Sequence, residues 1–147
     1  MNIEEVLKEH ARKIGVIKPK YELYEFEAPK VREVVSKLLE ALGRERVFVT
    51  TIVGTDRPDE GVIELTYFVY IVGEQNQVIA LRTRVPRDNA RIPSIVDIVP
   101  SALYAELEIY DLLGVVFEGN DRLRRGFLVP PEIVQQGIYP LRKDARV

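Results

Sequence analysis

The sequence has no cysteine and no tryptophan, one methionine and one histidine in 147 residues. Without cysteine there is no thiol redox chemistry and no thiolate nucleophile, and iron–sulfur ligation is confined to the uncommon clusters that use other ligands. With His10 as the one histidine, a typical zinc site cannot be assembled. A serine–histidine–aspartate triad would have to use His10, and no G-x-S-x-G elbow supports one. His10 itself reads as an ordinary surface residue of the first helix. No apolar run approaches the ~20 residues that crossing a bilayer requires. The opening MNIEEVLKEHARKIG lacks the apolar stretch of a signal peptide, so a cytoplasmic location is expected. The net charge of −2 gives no overall attraction to nucleic acid.

What is present describes one soluble globular unit. Apolar residues are 46% and charged residues 30% of the chain, which fits a domain able to bury a core without disulfides or metals. The scarcity of cysteine and methionine beside many charges resembles a thermophile's composition.

Asn2 and Glu5 make a capping box for a first helix over residues 3–14, with Ile3, Val6, Leu7 and Ile14 near helical spacing. Gly15 ends it and Pro19 keeps the connection extended. YELYEF from Tyr21 reads as a strand. Ala28 and Pro29 open a second helix whose stripe is Val31, Val34, Val35, Leu38, Leu39 and Leu42, ending at Gly43. Three strands follow, from Val47, Val62 and Gln77, separated by GTDRPDEG and GEQNQ, and an antiparallel meander is the simplest arrangement. The middle strand is apolar on both faces and should be interior. Its aromatics Tyr67, Phe68 and Tyr70 read as sheet packing rather than a stacking platform. Residues 87–100 read as loop with a helical turn at Ser94. Ser101 caps a third helix to Leu113, with Leu103, Leu107, Tyr110 and Leu113 on one side. VVFEG is short and extended, and the remainder has no clear period and lies over the domain. The expected fold is α+β: a two-layer, mostly antiparallel sheet with helices on one face (residues 1–114), plus an irregular C-terminal extension (115–147) within a single domain overall.

The charges concentrate late. Glu108 and Asp111 sit three apart and share a helix face, whereas Glu106 and Glu108 point away from each other. Such a pair could be solvated, bind a partner, or do acid–base work in a small enzyme, although no further oxygen ligands or phosphate-cradling loop accompany it. Between Arg122 and Val147 six basic residues face two acidic ones. This tail could seek phosphates, but it lacks the interleaved aromatics of a nucleic-acid module. Arginine also suits planar pairing with carboxylates. The stretch from Tyr104 to Leu128 therefore reads best as a self-paired clamp that also presents charge to a neighbouring chain, with Tyr104, Tyr110, Phe117 and Phe127 as anchors.

The succession PSIVDIVPSALYAELEIYDLLGVVFEGNDRLRRGFLVPPE, closed by YPLRKD, resembles the C-terminal signature of the thirty-kilodalton subunit family of respiratory complex I, the C subunit of bacterial NADH:quinone oxidoreductase, shared with membrane-bound nickel–iron hydrogenases. The matching positions are Glu106, Glu108, Tyr110, Asp111, Gly114, Phe117, Gly119, Leu123, Arg124, Arg125 and Pro140 through Asp144. Leu107 stands where the family usually has arginine, Asn120 and Asp121 replace a histidine–proline pair, and Arg122 replaces an acid. These departures point toward a divergent archaeal-type relative of the membrane-bound hydrogenase or sulfur-reducing complexes.

The resemblance implies a cofactor-free peripheral-arm subunit of a membrane-bound, ion-translocating oxidoreductase. It would dock on the large catalytic-type chain of such a complex, related to the hydrogenase large subunit, at the cytoplasmic side of the membrane. Iron–sulfur clusters, and a nickel–iron centre where there is one, would belong to partner subunits, and no nucleic acid is expected. The implied interface residues are Glu106, Glu108, Tyr110, Asp111, Phe117, Arg124, Arg125, Leu141, Arg142, Lys143 and Asp144.

Overall fold

Thr50 interrupts the alternation of a long strand, and that irregularity decides what the sheet can hold. In the computed structural model, which describes residues 2–17 and 20–146, the chain runs α1 (Ile3–Leu7), β1 (Arg12–Ile17), β2 (Tyr21–Glu25), α2 (Val31–Leu42), β3 (Val47–Arg57), β4 (Val62–Ile71), β5 (Gln77–Pro86), β6 (Arg91–Pro93), α3 (Leu103–Leu113), β7 (Val116–Glu118) and α4 (Pro131–Gln135). Five strands form one sheet in the order β1-β2-β5-β4-β3, and β6 and β7 form a second, parallel pair. All contacts in the large sheet are antiparallel except β2 with β5.

The α+β expectation and the β3–β4–β5 meander hold. β4 is interior, between β3 and β5, which accounts for its two apolar faces. Ile63, Leu65, Tyr67, Val69 and Ile71 point into the core and are all at most 2% exposed. The α2 stripe meets them, with Val31, Val34, Val35 and Leu38 essentially inaccessible. Gly43 closes that helix at φ 97°, a conformation in which a side chain would be strained. On the opposite sheet face, Glu64 is shared by Arg57, Arg82 and Arg84, and Glu25 by Arg12 and Arg84.

Several boundaries differ from expectation. The first helix ends at Leu7, and residues 12–17 form an edge strand in which Ile14 is 39% exposed. Alternation in RKIGVI, reinforced by the cross-strand pairs Lys13–Glu22 and Arg12–Glu25, overrides the approximate helical spacing of Ile14. Asn2 does cap α1, accepting from the amides of Glu4 and Glu5. His10 lies in the turn after α1 rather than on a helix surface, with its side chain only 17% exposed. The expectation for Pro19 lies outside the described residues.

β3 runs four residues beyond its apolar stretch because the register shift between Val49 and Thr51 turns Ile52 and Asp56 inward. Residues 91–93, expected as loop, pair in parallel with β7 across α3. The helical turn expected at Ser94 starts at Ile95, whose carbonyl accepts from Ile98 and Val99. Ser101 does not cap α3. Its hydroxyl instead accepts from the amide of Val49 at 3.1 Å, and Ala102 occupies the N-cap.

α3 lies over β3 at Gly54, where a Cβ would collide with Leu113 and press on Ile109. Leu113 is fully buried and cannot swing aside. Gly54→Ala is therefore expected to cost about 1–3 kcal/mol of stability, as overpacking does, and to lower the midpoint of urea unfolding accordingly. An unchanged midpoint would show that α3 can lift from the sheet.

Candidate functional site

Two carboxylates on α3 are completely buried, and each holds a different loop. Glu106, 0% exposed, accepts from the Ser94 hydroxyl at 2.6 Å, the Ile95 amide at 3.0 Å and the Asn120 side-chain amide at 2.9 Å. Burial pushes its carboxyl above the usual glutamate range, and the three neutral donors only partly offset that. The same loop is gripped from α2, where Arg32 donates to the Ser94 carbonyl and to both oxygens of Asp97.

Asp111, also 0% exposed, accepts at Oδ1 from the Gly126 amide (2.8 Å) and Arg125 Nε (3.1 Å), and at Oδ2 from the amides of Leu128 (2.7 Å) and Val129 (2.9 Å). Burial alone would raise its carboxyl, but these donors together hold it below the usual aspartate range. Arg125 also donates to the Ile138 carbonyl and lies 4.1 Å from the centre of the Tyr139 ring. Four donors on one carboxylate fix residues 125–129 as a rigid segment with no secondary structure of its own.

The C-terminal end of α3 is closed by the tail. Gly114 sits at φ 77°, with the Tyr139 ring packed where its side chain would be. Leu141 donates its amide to the Leu112 carbonyl, and Arg142 Nε donates to that of Leu113 at 2.7 Å. A guanidinium at the last helical carbonyls is favoured by hydrogen bonding and by the helix dipole together. Arg142 also reaches the Arg87 carbonyl, and buried Asp56 takes two bonds from Arg87 and one from the Lys143 amide. Arg87, in turn, pairs with Asp144 at 2.9 Å.

This arrangement redistributes the residues expected at an interface. Glu106, Asp111 and Phe117 lie inside the chain, at 0%, 0% and 1% exposure, so they shape its surface only through what they hold. Arg125 and Arg142 turn inward, Tyr110 is half-buried, and Glu108, Arg124, Leu141, Lys143 and Asp144 face outward. The Glu108–Asp111 pair does not share an open face: Glu108 is exposed while Asp111 is saturated within the fold. The self-paired clamp is present as Arg125 with Asp111.

Asp56, Arg87, Ser94 and Asn120 carry the arrangement too and were missed in the sequence. A polar run at the end of a β-branched strand was the one hint for Asp56. Among the described residues no three His, Cys, Asp or Glu side chains gather as metal ligands. The larger surface depressions, at the β4–β5 turn and beside His10, are not lined by Glu106, Glu108 or Asp111.

Beside this frame lies a patch of aromatic and basic side chains, with exposed Glu108 and Asp121 at its edge. Tyr104, 68% exposed, stacks on Phe127 with ring centres 5.9 Å apart and planes at 15°. Arg124 lies 5.8 Å from the Phe127 ring, and Leu128 is 55% exposed.

Comparison with known proteins places these features in a lineage. Residues 24–147 match the family described as respiratory-chain NADH dehydrogenase, 30 Kd subunit. Subunit 5 of the NADH-quinone oxidoreductase of Thermus thermophilus is 42% identical over 64 residues, 44% of this chain and 29% of that protein. The chain thus aligns with less than a third of that relative's length. A chain in the structure of the membrane-bound sulfane sulfur reductase, an archaeal respiratory membrane complex, superposes with a TM-score of 0.81 at 28% identity, over 99% of this chain and 84% of that one. A trypsin-resistant fragment of Nqo5 shares the fold, with a TM-score of 0.66 at 23% identity, over 82% of this chain and 96% of that one.

The two buried carboxylates predict opposite pH responses. Asp111 is held low, so its contribution to stability is present above the ordinary aspartate range and is lost as pH falls through its folded value. Glu106 is held high, so the folded state binds its proton more readily, and stability declines as pH rises from the ordinary glutamate range through its folded value. Urea titrations at a series of pH values should show the Glu106 decline flattened in Glu106→Gln and the acid loss reduced in Asp111→Asn. The same slopes in both variants as in the parent would contradict these assignments. Asp111→Ala leaves Arg125 and three amides without their acceptor. It should cost about 3–5 kcal/mol and speed hydrogen exchange at Gly126, Leu128 and Val129.

Proposed function

The chain belongs to the family of the respiratory-chain NADH dehydrogenase 30 Kd subunit, and from that premise we propose that it is a cofactor-free subunit of the peripheral arm of a membrane-bound, ion-translocating oxidoreductase. Its task is to scaffold the large catalytic-type chain of that complex, related to the hydrogenase large subunit. It would sit at the cytoplasmic side of the membrane, attached only through the complex. Iron–sulfur clusters, and any nickel–iron centre, would belong to the partners.

The observation that carries this reading is the pinning of residues 125–144 onto the chain's own domain. Asp111, Asp56 and the end of α3 consume the tail's inward-facing groups and leave an ordered face of aromatic and basic side chains outside. A segment ordered before it meets its partner loses little conformational entropy on docking. Near-complete coverage by a sulfur-reductase chain at 28% identity favours a complex of the archaeal hydrogenase or sulfur-reducing type. No helix among the described residues is long and apolar enough to cross a membrane, which is compatible with peripheral attachment. The acid–base alternative loses its basis in the separation of Glu108 from Asp111, and the nucleic-acid alternative loses Arg125 and Arg142 to internal contacts.

Co-expression with the large-subunit homologue should yield a stable pair in which amide exchange across residues 115–146 is slower than in the isolated chain. Exchange that stays the same with and without that partner would overturn the docking role.

A further inference from the structure

Tyr104 and Phe127 come from different elements, α3 and the loop after β7, yet they form one stacked pair in which Phe127 is half-buried and Tyr104 is exposed. The Tyr104 ring, held on that half-buried partner, leaves apolar area in water. The pair is not a loose loop feature. Phe127 lies between Gly126 and Leu128, whose amides are both held by Asp111, and Val129 beside them is 3% exposed within the core. Leu128 extends the apolar area on the same segment.

The charges beside the stack are the second observation. Arg12, Arg32, Arg57, Arg82, Arg84, Arg87, Arg91 and Arg125 each have a carboxylate within salt-bridge distance. Among the described residues Arg122 and Arg124 have none; Arg44, Arg46, Arg142 and Arg146 have none either, but Arg122 and Arg124 are the exposed pair that flanks the aromatic segment. Arg122 lines a shallow depression with Val96, Pro100, Leu103 and Asp121, beside the turn of α3 that carries Tyr104. A rigid aromatic centre with arginines around it is the make-up of an interface anchor, and planar guanidinium groups select carboxylates by paired hydrogen bonds.

We infer that Tyr104, Phe127 and Leu128, with Arg122 and Arg124, form the contact that receives a carboxylate-bearing segment of the neighbouring subunit. Aromatic rings beside arginines also suit single-stranded nucleic acid, but Asp121 adjoins Arg122 and Glu108 lies one helical turn from Tyr104. A nucleic-acid strand carries a phosphate at every nucleotide and would meet both carboxylates, whereas a polypeptide can set a carboxylate against the arginines and other groups against Asp121 and Glu108, so the mixed-sign surface fits a folded polypeptide better. This inference rests on the docking role proposed above and assigns that role to one surface and one partner chemistry.

The test uses the co-expressed pair and three variants of this chain. Arg122→Glu with Arg124→Glu should weaken association at least about tenfold, and the parent's affinity should fall with added salt while the variant's does so less. Tyr104→Ala with Phe127→Ala should weaken it comparably. Arg122→Lys with Arg124→Lys should retain part of the binding, since charge survives and the paired geometry does not. Thermal melts of the isolated variants control for folding, and the arginine reversals touch no core residue.

If the parent binds and protects residues 115–146 while all three variants bind equally well, this surface is wrong and the docking role survives. If the parent does not associate, both fail. Self-association of the isolated parent through this patch, abolished by the reversals, would assign it to a second copy and overturn the inference. Steeply salt-dependent binding of a single-stranded oligonucleotide, lost in the aromatic variant, would overturn it as well.

Discussion

The carboxylate of Asp111 is the point on which the last quarter of the chain depends. Residues 120–130 contain no helix or strand, so their backbone amides have no ladder to satisfy them. Asp111 supplies acceptors to three of those amides and to one guanidinium. A buried carboxylate is costly unless its lone pairs are filled, and here four donors fill them. Rigidity therefore reaches an irregular segment from a regular one: α3 is fixed by its packing on β3, and the loop is fixed by α3.

Glu106 shows why carboxyl burial alone does not set behaviour. Both acids are on one helix, five residues apart, and both are inaccessible to water. Asp111 faces a guanidinium as well as backbone amides, and its proton is held less tightly than usual. Glu106 faces only a hydroxyl, one amide and one carboxamide, with the charge of Asp97 nearby, and its proton is held more tightly. The difference lies in the three backbone amides that Asp111 accepts from, with the Arg125 guanidinium adding to them, against the burial that dominates at Glu106. Asp111 organises the outward-facing loop; Glu106 ties α3 to the parallel pair β6–β7 through Ser94 and Asn120.

Much of the fold was legible because its signals are local. The α2 stripe, the Gly43 and Gly114 stops and the three meander strands follow from periodicity and turn chemistry, and each reappears in place. What escaped was set by distant partners. The edge strand β1 exists through its pairing with β2, and β3 continues past Val53 because Asp56 finds Arg87. Residues 91–93 become a strand only when β7 arrives beside them. The candidate site was legible as a list and not as an arrangement. The order of Glu106, Asp111, Arg125 and Arg142 along the chain marked them as functional, but a sequence does not say which acids face inward. Helical spacing put Asp111 with Glu108, whereas the loop after β7 claims Asp111 and leaves Glu108 in water. Conversely, Tyr104 and Phe127, 23 positions apart in sequence, become neighbours only through that loop.

The closure made by Arg142 and Lys143 has a bearing on how the domain is born. Their partners, Asp56, Arg87 and Leu113, all leave the ribosome earlier, and synthesis runs from the first residue to the last. Until the Pro140–Asp144 run emerges, the final turn of α3 lacks its cap and Asp56 lacks one of its donors. A nascent polypeptide can thus assemble its sheet while its outer face is still unfinished. The surface that the tail presents is thereby completed only after the sheet and α3 on which it rests.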